Sequence, residues 1–89
     1  MEKVTAIIIG RGTTPSVHGR VVARIWEELS PEGRREWGGL FVLPAEWPPL
    51  TGGPYILTTA DGRSGEIYIH ETASELVFFK GSGPWGRAL

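Results

Sequence analysis

Residues 55–70, YILTTADGRSGEIYIH, decide the fold of this chain. Two segments rich in β-branched and aromatic residues, 55–59 and 66–71, flank the turn sequence DGRSG at 61–65. The glycines of this turn permit the positive φ that a tight or bulged hairpin requires. In the second segment isoleucines occupy every second position, which is the period of a half-buried strand. The stretch therefore predicts an antiparallel β-hairpin that turns at Asp61-Gly62.

The rest of the chain is also cut into short apolar pieces, because 13 glycines and 7 prolines interrupt it. Residues 4–9, VTAIII, are apolar at nearly every position and predict a strand with both faces covered. The runs LFVL at 40–43 and LVFF at 76–79 predict two more strands. We therefore expect a mainly β fold, a small antiparallel β-barrel or sandwich of about five to seven short strands.

Residues 15–29 fit two structures. Apolar side chains recur at every fourth position, at Val17, Val21, Ile25 and Leu29. This spacing suits one face of a helix, and a single helix here would make the fold α+β. Gly19 and the β-favouring composition of the segment argue for a strand over 19–28 instead. We favour the strand.

The length of 89 residues predicts one domain over 1–89, with a single hydrophobic core. Its hydrophobic fraction of 40% and charged fraction of 21% are ordinary for a folded protein. The C-terminal segment 81–89, GSGPWGRAL, is too rich in glycine to order itself. We expect it to be flexible, or to be ordered by docking on its own barrel or on a neighbouring subunit.

The sequence offers little catalytic chemistry. It has no cysteine, which excludes disulfides, thiolate metal sites and thiol nucleophiles. Its only histidines, His18 and His70, lack the spacing of metal ligands, and Glu71 beside His70 would point to the opposite face of a strand. We predict no enzymatic activity, no metal and no cofactor. The apolar run 4–9 is too short to cross a bilayer, so the expected compartment is the cytoplasm.

Four tryptophans are many for so short a chain. Trp26 lies in the apolar stretch 15–29 and is expected in the core. The others stand beside glycine or proline in predicted loops, where the ring either seals the barrel end or contacts a partner. The candidate partner contacts are Trp37, Trp47, Pro48, Pro49, Tyr68, His70 and Trp85. The favoured function is a non-catalytic protein-interaction or self-assembly module, with a protein partner or a second copy of the chain forming a homo-oligomer.

The alternative function is a small β-barrel that binds nucleic acid or a nucleotide through arginine and aromatic side chains. Its candidate phosphate contacts are Arg20, Arg24 and Arg63. The net charge of −1 disfavours nucleic acid and also gives no attraction to a membrane. The Arg20-x-x-x-Arg24 spacing is similar to that of PilZ domains, small β-barrels that bind a cyclic dinucleotide. Their Asp/Asn-x-Ser-x-x-Gly motif is not matched at 61–65, where Ser64 stands one position late, so the chain is not assigned to that family.

Overall fold

The computed structural model describes residues 2–10, 18–50 and 52–87, and every regular element in these ranges is a strand. The strands are β1 Glu2–Gly10, β2 His18–Leu29, β3 Arg35–Val42, β4 Gly52–Thr59, β5 Arg63–Ala73 and β6 Leu76–Arg87. They pair antiparallel and close into a barrel in the order β1-β2-β3-β6-β5-β4, with β4 returning to β1. The predicted small antiparallel barrel is confirmed, and no helix occurs in the described ranges.

The hairpin that predicted the fold joins β4 to β5. Gly62 has a φ of 91°, in the left-handed region that favours glycine. Its N–H donates to the carbonyl oxygen of Thr59 at 3.1 Å and closes the turn. Next to the turn β4 pairs with β5, with Thr58 opposite Ser64. The hairpin is therefore confirmed, and β5 begins closer to the turn than the composition indicated.

The ambiguous segment forms β2, so the prediction of a strand is confirmed for its described part. Val21, Ala23 and Ile25 point inward and are buried, whereas Val22 and Arg24 point outward and are exposed. A spacing of four residues is also an even number, so positions that share a helix face share a strand face as well. This is why the pattern at 15–29 suited both structures.

Both ends of the barrel are closed by large side chains. The connection 43–50 crosses one end, because β3 and β4 are not neighbours in the barrel. It buries Leu50 and packs Trp47 against the core. The opposite end contains Trp37 and Trp85. Residues 81–87 belong to β6 and pair with β5, so this part of the C-terminal segment is docked on its own barrel. Residues 88 and 89 lie outside the described ranges.

Candidate functional site

Trp26 lies on the outside of the barrel, so its predicted place in the core is wrong. It follows the inward-pointing Ile25 on β2 and therefore faces outward, half-buried, beside Gly38 of β3. A Cβ at Gly38 would lie 2.8 Å from the Trp26 ring, so the indole rests directly on this bare stretch of backbone. Strand alternation assigns Trp26 to the surface, and apolar content alone could not distinguish it from Ile25.

Trp37 and Trp85 seal the barrel rather than offering their rings to a partner. Trp37 is only 3% exposed, and its ring stacks on that of Trp85 with centroids 4.4 Å apart. The Nε1–H of Trp37 donates to the carbonyl oxygen of Gly83 at 3.0 Å, which fastens the second half of β6. The Arg63 guanidinium lies 5.6 Å from the Trp85 centroid and completes the stack as a cation–π contact.

Arg63 was a candidate phosphate contact, but its guanidinium is engaged within the chain. It donates to both carboxylate oxygens of Glu2, at 2.9 and 2.6 Å, and its Nε donates to both oxygens of Asp61 at 3.1 Å. Asp61 also accepts the hydroxyl of Thr59. The Thr59 and Arg63 hydrogen bonds lower the pKa of Asp61 to about 2, and Arg63 lowers the pKa of Glu2. Arg63 thus connects β1 and the hairpin turn to the stacked rings of Trp37 and Trp85, which we call the aromatic seal.

This network predicts an acid-sensitive part of the stability. Both carboxyls have a folded-state pKa below the ordinary value, so their contribution is complete above about pH 4.5 and is lost as the pH falls towards 2. Replacing Arg63 with glutamine should lower stability at neutral pH and flatten its decline over that acid range. Urea denaturation across the range measures both effects. Arg35→Gln, at an exposed position that forms no ion pair with another described residue, is the control that should keep the wild-type acid profile.

The remaining candidate partner contacts do not form one site. Tyr68, 41% exposed, and His70 lie on β5, where the His70 ring is 6.4 Å from that of Phe78. Pro48 and Pro49 are exposed in the connection 43–50, at the end of the barrel. The structure thus distributes the predicted contacts over the two sealed ends and one strand of the outer wall.

The structure does bring together two of the candidate phosphate contacts, Arg20 and Arg24. Both are exposed on the outer side of β2, and Lys3 of β1 lies directly opposite Arg24. These three cations border a groove of about 410 Å³ on the outside of the barrel. Its floor is apolar and consists of Val22, Leu40, Val42, Pro44 and Leu76. We call this surface the β2–β3 groove.

The β2–β3 groove combines exposed apolar area with unpaired positive charge. Val22 is 53% exposed and Val42 is 51% exposed, although both are large aliphatic side chains. None of the three bordering cations forms an ion pair with another described residue. The order of residues in the sequence indicates this surface, although the hydrophobic composition alone does not. Val21 and Val22 are adjacent in a strand, so one of the two must face solvent.

Comparison with known proteins gives no match to this chain: no family model, no curated protein and no solved structure resembles it. In the part of the chain that the structure describes, no three histidine or acidic side chains are grouped so that they could hold a metal ion. Residues 2–10, 18–50 and 52–87 also contain no helix that is long and apolar enough to cross a membrane. The β2–β3 groove is therefore the feature of the described surface that bears on function.

Proposed function

We propose that this domain is a non-catalytic protein-interaction module and that the β2–β3 groove is its binding surface. One observation carries the proposal: Val22 of β2 and Val42 of β3, each more than half exposed, line a groove whose bordering cations form no ion pair with another described residue. An exposed apolar patch with a polar rim is the arrangement typical of protein interfaces. Burying this patch would remove apolar area from water, which drives most protein association.

The chemistry of the groove defines the partner. Lys3, Arg20 and Arg24 favour acidic groups, which in a protein partner are carboxylates, and the aliphatic floor favours an aliphatic or aromatic side chain beside them. The matching surface is therefore a segment in which acidic residues flank an exposed apolar residue. Positive charge on the rim would also accelerate encounter with such a segment and select against basic partners.

Nucleic acid is the second candidate, because the same arginines could bind phosphates. Single-stranded nucleic acid is held by bases that stack on aromatic rings, with the backbone in a positive groove. The floor between the arginines is aliphatic, and the outward Trp26 of β2 lies half-buried against Gly38. The exposed aromatic Tyr68 lies on β5, separated from β3 by β6. These features favour a protein partner over nucleic acid.

The first test is a charged substitution in the floor. We expect the double variant Val22→Glu/Val42→Glu to remain folded, since both side chains are already exposed, and to lose partner binding by about tenfold or more. A random peptide library is panned on the wild-type domain at low surface density, and the affinity of the enriched peptides is measured by fluorescence polarisation. The enriched sequences should contain Asp or Glu beside large apolar residues.

The control is Thr72→Glu, which introduces one glutamate at an exposed position on β5 outside the groove and should leave binding unchanged. Two results count against the proposal. One is a failure to enrich any peptide, or enrichment that the double valine variant does not alter. The other is salt-dependent binding of a labelled single-stranded oligonucleotide that is lost in Arg20→Gln/Arg24→Gln, because this would assign the groove to nucleic acid.

A further inference from the structure

We propose that the occupant of the β2–β3 groove is the end of the β2–β3 hairpin of a second copy of this chain, in a reciprocal, antiparallel dimer. The inference rests on the proposed function and names its partner. Because each copy carries both the groove and the hairpin end, one twofold arrangement satisfies two contacts at once.

The hairpin end has the composition that the groove requires. Leu29 is 70% exposed, the most exposed of the large apolar side chains in the described ranges. The charged residues around it are all exposed, four acidic and two basic, and are Glu27, Glu28, Glu32, Arg34, Arg35 and Glu36. We call this set, together with Leu29, the acidic tip. It matches the groove in charge, because Glu28 and Glu36 lie on the outer side of β2 and β3, the side on which the groove cations also lie.

Two like-charged pairs on the outer wall strengthen this assignment. Lys3 lies directly opposite Arg24 between β1 and β2, and Glu28 lies directly opposite Glu36 between β2 and β3. Like charges at directly opposed positions destabilise a sheet. None of the four side chains forms an ion pair within the described part of the chain. The Lys3–Arg24 pair thus has no ion-pair partner among the described acidic residues, and the Glu28–Glu36 pair has none among the described basic residues. Each pair carries the charge that would neutralise the other.

The spacing of these pairs fits a twofold axis at Trp26. Arg24 and Glu28 are on the same side of β2, and Trp26 is halfway between them, about 7 Å from each along the strand. If two copies pack antiparallel with their Trp26 side chains meeting, Arg24 of each copy lies over Glu28 of the other. Trp26 thereby becomes the central aromatic contact of the interface.

The test is a charge exchange between two variants. The groove variant is Arg20→Glu/Arg24→Glu, and the tip variant is Glu28→Arg/Glu36→Arg. In either variant alone, groove and tip carry the same sign, so we expect sedimentation velocity to show dimerisation weakened by about tenfold or more. When the two variants are mixed, both contacts of the heterodimer are complementary. Native mass spectrometry should then show a one-to-one heterodimer with an affinity within a few-fold of wild type.

The outcomes separate this inference from the proposed function. A wild-type chain that stays monomeric throughout the micromolar range overturns the dimer, while the peptide selection still reports independently on the groove. A wild-type dimer that neither variant weakens, or a mixture that does not recover association, also overturns it. Trp26→Ala provides a second measurement on an outward side chain: it should weaken dimerisation while circular dichroism shows an intact barrel.

Discussion

Replacing Trp37 with alanine is expected to lower the free energy of unfolding by about 3–5 kcal/mol, the usual effect of deleting a buried tryptophan side chain. The ring is 3% exposed, stacks on Trp85 and meets the edge of Phe79 with centroids 6.4 Å apart. Its deletion also leaves the Gly83 carbonyl without its donor. A small domain has a total stability of about 5–15 kcal/mol, so this loss should bring much of the population close to unfolding.

Urea denaturation followed by circular dichroism measures this effect. Trp26→Ala is the matched control, because it deletes the same side chain from the outer wall and should cost clearly less. Trp37→Phe is a second comparison, since it keeps an aromatic ring but removes the indole N–H. We expect its loss to fall between those of the two alanine variants. If Trp37→Ala costs no more than Trp26→Ala, the aromatic seal does not hold the second half of β6 in place.

The second large effect is expected for Gly39→Ala. A Cβ at this position on β3 would overlap the backbone carbonyl oxygen of Arg24 in the adjacent strand and come within 2.8 Å of the Phe79 ring. A carbonyl held in a barrel cannot move aside without disturbing the pairing of β2 with β3. We therefore expect a loss of about 3 kcal/mol, at the upper end of the range for overpacked cores.

Gly19→Ala is the comparison that isolates this cause. A Cβ at Gly19 would meet only the Trp47 ring, a half-buried side chain at the barrel end that can shift. Thermal or urea unfolding of both variants should give the larger loss for Gly39→Ala. If both variants lose the same free energy of unfolding, the replacement of glycine itself, rather than the overlap with the backbone, determines the destabilisation.

The local elements could be predicted from the sequence because their signals are local. The turn at 61–65 and the alternation that follows it specify a hairpin without reference to the rest of the chain. The strand over 19–28 followed from β-branched composition and Gly19. The position of Trp26 could not be predicted from local composition. Which side of β2 faces inward is fixed only when the barrel closes around its core.

The features that the sequence did not reveal depend on distant pairings. Arg63 is a candidate phosphate contact in the sequence, because its hydrogen-bond partner Glu2 is 61 positions away and the pairing has no local signal. For Trp37 the sequence leaves sealing of the barrel end and partner contact both open, because its neighbours Trp85 and Gly83 reach it only when β6 extends along β5 and β3. The β2–β3 groove likewise depends on four strands meeting, β1, β2, β3 and β6, and Val22 and Val42 become neighbours only through the pairing of β2 with β3.

The pairing of β4 with β1 has a consequence for how this domain can meet other proteins. Each of the six strands has hydrogen-bonded neighbours on both sides, so within the described residues no strand is an edge strand over its whole length. Addition of a strand to the closed wall is therefore disfavoured, for a partner and for a second barrel alike. Specificity must then be encoded largely in outward side chains. A few substitutions on β2 and β3 could therefore give the same scaffold a different partner while leaving its fold unchanged.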